Sequence, residues 1–222
     1  MLIDFIRHGF SLQLFILFAT RLFVVFCILP VHEFAHALIA TKLGDPTPKQ
    51  NGRLTLNPLA HIDPIGGLMI FLAGVGYAKA VPVNTYYFKD KKKGMALTAL
   101  AGPLSNLILA FISVVFLFLS QMLFKDTLGS VIYWFLYYVA FINISLAVFN
   151  LLPIPPLDGS RLAAVILPDR YYYKLVEYER YLMYLVLILA ITGFISKPIM
   201  FLSENIMRLF FNMVGFFFTF GR

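Results

Sequence analysis

Charge is what this chain has least of: only 13% of its 222 residues are Asp, Glu, Lys or Arg, roughly half the share of a soluble domain. That scarcity excludes a water-soluble globular protein. Cysteine is nearly absent as well. The single Cys27 admits no internal disulfide, and its apolar surroundings suit packing by a small residue. Acidic residues are outnumbered, 11 against 18 basic ones, for a net charge of +7. In a soluble chain this excess would suggest nucleic acid. In an apolar chain it is the signature of Lys and Arg collecting in cytoplasmic loops, so no nucleic-acid partner is expected. There is no internal repeat, no low-complexity tract and no polar stretch long enough for a soluble domain. One membrane-embedded domain over 1–222 is therefore expected, with a core at 12–161 and C-terminal helices at 181–220.

What is present is apolar: 60% of the residues are hydrophobic and 17% aromatic. The partner this composition calls for is the lipid bilayer. The expected fold is an all-α polytopic membrane protein of about four to six transmembrane helices, with a small β or re-entrant element on the cytoplasmic side. Arg7 and the apolar run after it resemble a signal peptide. No small-x-small cleavage site follows, so we read a retained span.

The first apolar segment, Leu12 to Leu43, exceeds the ~20 residues a span needs. Arg21 and Pro30 interrupt it, which predicts either one kinked helix or a surface helix leading into a span. Gly44-Asp45-Pro46 ends it. In the polar stretch that follows, Arg53-Leu54-Thr55-Leu56-Asn57 alternates polar and apolar and reads as a short strand. Ile65 to Ala78 is apolar, too short to span and broken by Gly66, Gly67, Gly74 and Gly76, which predicts a re-entrant segment. Val81 to Asn84 reads as extended. Further spans are expected over Gly94–Phe124 and Val131–Leu152, and Pro153, Pro155 and Pro156 stop the latter. Tyr181–Phe194 and Ile199–Phe220 are a fourth and a possible fifth apolar segment. Tyr171, Tyr172, Tyr173 and Tyr178 fit an aromatic belt.

Lys and Arg gather between Lys42 and Lys93 and again from Arg161 to Arg180, with only Lys125 between the second and third spans. The basic side, read as cytoplasmic, receives the C-terminal end of the first long segment and the end of the third span.

Inside that first segment stands His32-Glu33-Phe34-Ala35-His36. Helical residues four apart share a face, so the two imidazoles can grip one metal ion, with Glu33 close enough to reach a water on it. This is the zinc-hydrolase pattern of two nitrogen ligands and a carboxylate base. Ionisable groups are costly in hydrocarbon and mark function there. A catalytic zinc takes a third protein ligand and keeps a position for water. Asp158, just past the third span and on the basic side, is favoured over His61. Its plain alternative is capping the helix that starts near Ser160. Asn106 and Asn150 lie in or at the end of spans. They are either interhelical glue or donors to the oxyanion formed when water attacks a carbonyl. Asn143, also in the third span, is not separable from glue.

These residues together resemble the site-2 protease family of intramembrane zinc metalloproteases. The likeness is carried by the zinc motif, by Gly52-Arg53-Leu54-Thr55-Leu56-Asn57-Pro58-Leu59-Ala60-His61-Ile62-Asp63-Pro64 and by Lys79 through Asn84. Ala101-Gly102-Pro103-Leu104-Ser105-Asn106 and Asn150-Leu151-Leu152-Pro153-Ile154-Pro155-Pro156-Leu157-Asp158-Gly159 complete it. The chain is similar to the short bacterial and archaeal branch, which lacks regulatory PDZ or CBS domains. Ala80 departs from the proline common there.

The resemblance implies one zinc ion per chain held by His32, His36 and Asp158, with Glu33 as general base and then proton donor to the leaving amine. It implies that Asn106 and Asn150 assist substrate or transition state. It also implies a multi-pass protein of a bacterial or archaeal membrane, its active site toward the cytoplasm, cutting transmembrane protein substrates. An exposed strand at Leu54, Leu56 and Asn57, or the segment with Val81, Val83 and Asn84, is expected to hold the unwound substrate by strand addition. The competing readings are a metal transporter using the same ligands, which has no special need for Glu33, and a non-catalytic membrane binding protein.

Overall fold

The computed structural model describes residues 11–73, 78–168, 170, 174 and 177–220, which are predominantly helical. The first helix, α1 (Leu12–Phe23), is capped by Ser11, whose Oγ accepts from the Leu14 amide at 3.2 Å. It continues through a π-helical turn at Val24–Ile28 into α2 (Leu29–Lys42), which carries the zinc motif. Together they make a 31-residue helical run from Leu12 to Lys42, so the first of the two expected forms, one long helix, is the one found. The irregularity falls just ahead of Pro30. A proline ring clashes with the carbonyl four residues back, and the wider π turn accommodates that clash without ending the helix.

Short helices follow: α3 (Thr47–Gln50), α4 (Pro58–His61) and α5 (Pro64–Ala73). With ten residues α5 is too short to cross a bilayer. Gly74 and Gly76, part of that expectation, lie outside the described residues. The strand expected over Arg53–Asn57 is not formed, and there is no strand among the described residues. These residues turn instead, because local bonds satisfy them. The Asn57 amide donates to Thr55 Oγ1 at 3.1 Å, and Asn57 Oδ1 in turn accepts from the Leu59 amide at 3.1 Å to start α4. What remains of β pairing is one antiparallel bridge between Ile62 and Ala78.

The central hairpin is α6 (Lys91–Leu123) and α7 (Thr127–Asn150), each started by an aspartate cap: Asp90 accepts from Lys93 N and Asp126 from Gly129 N, both at 3.0 Å. Three described helical runs are long and apolar enough to cross a membrane: Leu12–Lys42, Lys91–Leu123 and Thr127–Asn150. After the proline break come α8 (Asp158–Ile166), α9 (Glu179–Ile191) and α10 (Ser196–Phe220). Tyr178 is exposed, as an interfacial aromatic would be, whereas Tyr171, Tyr172 and Tyr173 lie outside the described residues.

Packing on α6 is inverted relative to a soluble protein. Leu104, Ile108, Ile112 and Phe116 form an exposed stripe at helical spacing, while Ala99, Gly102, Asn106 and Ala110 are buried. Lipid rewards no burial of large apolar groups, so small residues occupy the seam where backbones approach closely. The core joins Ala110 and Val114 of α6, Ala140, Ile144 and Val148 of α7, and Met207 and Val214 of α10. A hydrogen bond from Ser145 Oγ to Ser203 Oγ, 3.2 Å, fixes α10 against α7.

Candidate metal centre

Helix α2 presents His32 and His36 one turn apart, both buried, against α6. The close crossing is possible because position 102 has no side chain. A Cβ there would collide with His36 Nε2 and would lie 2.5 Å from His32 Cε1. The opposite wall is α8, whose first residue is Asp158. Gly159 makes that placement possible in the same way, because a Cβ on it would run into the Leu151 and Leu152 carbonyls at the end of the third span. No side chain caps α8, so Asp158 does not serve as the helix cap that its position also allowed.

Three donor atoms converge. His36 Nε2 stands 3.1 Å from His32 Nε2, and Asp158 Oδ2 stands 3.5 Å from His32 Nε2 and 3.3 Å from His36 Nε2. Tetrahedral ligands on bonds of about 2.0–2.1 Å stand about 3.3–3.4 Å apart, so these spacings suit a single zinc ion. The tautomer of His36 fits too. Its Nδ1–H donates to the Thr98 carbonyl of α6 at 2.7 Å, which leaves the Nε2 lone pair aimed at the other two donors. Three acceptors so close repel unless a cation lies among them, either a proton on an imidazole or a metal ion. Burial alone would raise the Asp158 carboxyl. The hydrogen bonds and charge of the two histidines outweigh it and hold the group well below the ordinary carboxylate range.

Glu33, Asn150, Val81 and Val83 line the same cavity of about 470 Å³ as the three donors. The other sequence-expected residues divide. Asn106 is fully buried and does not line the cavity. It lies four residues past Gly102 on the same face of α6, and neither its Nδ2 nor its Oδ1 has a partner among the described residues. Asn143 is buried and donates to the Val139 carbonyl of its own helix at 2.8 Å. Leu54, Leu56 and Asn57 are not brought to the cavity. His61, the rival third ligand, donates from Nε2 to the Thr55 carbonyl at 2.8 Å and so belongs to the loop scaffold.

Sequence reasoning missed six residues. Gly102 was visible only as part of a motif, although a glycine beside a proline in a long apolar helix signals close approach. Arg161 lines the cavity wall one turn after Asp158, whereas the sequence shows it only as a topology charge. Ile195, Ser196 and Ile199 close the cavity from α10 and the turn before it, and no local signal announces them. Asp45 is fully buried, whereas the sequence shows it only as a turn residue.

A sequence model described as Peptidase family M50 matches residues 121–193, the part that contains Asp158. The chain is 41% identical over 166 residues to YwhC of Bacillus subtilis (strain 168), whose name describes a zinc metalloprotease, covering 73% of this chain and 75% of that one. It is 31% identical over 224 residues to Rip2 of Mycolicibacterium smegmatis, also named for a zinc metalloprotease, covering 98% of this chain and 79% of that one. A Methanocaldococcus jannaschii protein with a similar name, MJ0611, is 42% identical over 82 residues, which is 36% of this chain and 40% of its own. No solved structure gives a significant match.

Proposed function

The chain belongs to peptidase family M50, the site-2 protease family of zinc metalloproteases, and from that premise we propose that it hydrolyses peptide bonds within or beside the transmembrane segments of membrane proteins. The observation that carries this reading is the convergence of His32, His36 and Asp158 on one point, with Glu33 on the shared cavity.

His32, His36 and Asp158 would hold the zinc ion. When bound, zinc polarises the scissile carbonyl and lowers the pKa of water toward ~7. Glu33 takes a proton from the attacking water as its oxygen bonds to the carbonyl carbon. It then delivers that proton to the amide nitrogen as the carbon–nitrogen bond breaks, so one buried carboxylate serves as base and then acid. Asn150, on the cavity wall, donates from its amide to the charge developing on the carbonyl oxygen. Asn106 is buried one turn beyond the histidine cradle, off the cavity wall. The Thr98 carbonyl keeps His36 in its ligating tautomer.

A helical substrate hides its peptide bonds, so the substrate unwinds before cleavage and is held extended against Val81, Val83 and Asn84. Among the described residues, no hydrogen bond uses the backbone of Ala80, Val81 or Val83, which leaves those groups for strand addition. The site opens toward the basic, cytoplasmic face. The setting is regulated intramembrane proteolysis in a bacterial or archaeal membrane.

The test is cleavage of a transmembrane test substrate by purified protein in detergent, wild type against Glu33→Gln. The variant is expected to lose at least about a hundredfold in rate while zinc content stays the same. Equal rates would remove Glu33 from the mechanism.

A further inference from the structure

The carboxylate of Asp45 plays no part in the chemistry above, yet it is fully buried. Burying a carboxylate is costly unless its oxygens are hydrogen-bonded, and both of these are. Oδ1 accepts from the Thr47 amide at 2.9 Å, and Oδ2 accepts from the Asn84 amide at 2.7 Å. The first bond is local. The second spans 39 positions and joins the end of the histidine helix to the far end of the segment Ala78–Asn84. Gly44, with a φ of 106°, makes the sharp turn that points Asp45 there.

The near end of that segment is pinned independently. The Lys79 amide donates to the His61 carbonyl at 2.8 Å, and Arg53 Nη1 donates to the Lys79 carbonyl at 3.2 Å. Arg53 also donates to the Ala60 carbonyl. Between the two anchors Ala80–Val83 runs without internal hydrogen bonds, and Val81 and Val83 border the cavity.

We propose that Asp45 is a positioning residue that sets which substrate peptide bond meets the metal centre, by fixing the cavity-lining segment Ala78–Asn84 to the helix that carries His32 and His36. The proposal rests on the proteolytic reading. An extended chain advances about 3.3 Å per residue and turns its side chains over at each step. A template tied to the metal-bearing helix holds its register relative to the donors, and a template free at one end does not.

Asp45→Asn keeps the shape and replaces one acceptor by an NH2 group, so either Thr47 or Asn84 loses its bond. The experiment digests one transmembrane test substrate with wild type and variant and identifies the products by mass spectrometry. Zinc content, KM and kcat are measured alongside. The expected result is a spread of cuts onto neighbouring bonds, with KM raised about tenfold and zinc retained. A loss confined to stability would not move the cut site. Identical cut sites and kinetics in a zinc-loaded variant overturn the proposal.

Should Asp45→Asn not fold, cross-linking decides. Val83→Cys in a Cys27→Ser background is reacted with a set of single-cysteine substrates. A dominant cross-link at one position, or at alternate positions, supports a fixed template, and equal cross-linking along the substrate overturns it. Failure of wild type to cut any substrate counts against the proteolytic reading. A wild type that cuts, beside a variant that cuts identically, counts against Asp45 alone.

Discussion

At the scale of single residues, the site depends as much on an absent side chain as on those present. Gly102 lets two imidazoles lie against α6, and a methyl group there must displace one of them. Gly102→Ala is therefore expected to weaken zinc binding by about 10–100-fold, the usual cost of disturbing what orients a metal's ligands. Helix content by circular dichroism should be unchanged, since alanine favours a helix more than glycine does. Zinc titration checks this, and unchanged affinity would mean that the rings have room the structure does not show. The contrast with Glu33→Gln, which keeps its zinc and loses its rate, separates ligand placement from proton transfer. His32, Glu33 and His36 were legible in the sequence because four-residue spacing on a helix is a local property. Asp158 was legible because a carboxylate after a proline break, at the end of a span, lacks other partners. Gly102 and Asp45 were not, because their roles depend on which helix or segment crosses them, and spacing along the chain does not encode that.

At the scale of elements, the π-helical turn at Val24–Ile28 sets the rotation of α1 against α2. Ile16 and Thr20 of α1 are buried, at 4% and 0% exposure, and α1 packs on α7. Deleting Phe26 shortens the wide turn to an α turn and rotates α1 by about 100°. That swing carries Ile16 and Thr20 out of the interface, with a loss of roughly 1–3 kcal/mol, the range of single packing defects. A lowered melting temperature in detergent, with zinc stoichiometry retained because His36 still holds Thr98, is the expected outcome. Loss of zinc alone, with stability intact, would contradict it. The spans were legible as elements because length and apolarity define them. The misread element was the strand at Arg53–Asn57. Alternation at five positions predicts a strand only when a partner strand exists, and here Thr55 and Asn57 satisfy the backbone from within the loop.

At the scale of the whole molecule, the exposed stripes of large apolar residues face outward and the small and polar ones pack inward, so the bilayer and not water is the solvent that this surface fits. The metal centre lies where α2 meets the start of α8, two points that the Lys and Arg pattern places on the basic side. Lys89, Lys91, Lys92 and Lys93 precede or begin α6 on that side, and Lys125 lies in the connection at its far end. Positive residues remain in the cytoplasm, so α4 with Leu59 should face it and the connection with Lys125 should face away. Leu59 is 78% exposed, which makes it a good reporter. In a Cys27→Ser background, Leu59→Cys should resist a membrane-impermeant maleimide in cells whose membrane is intact and react in inverted vesicles. Lys125→Cys should do the reverse. Labelling of both from one side would break the α6–α7 hairpin as a membrane crossing. Reversal of both would put the metal centre on the outer face, and with it the water supply and the products of cleavage.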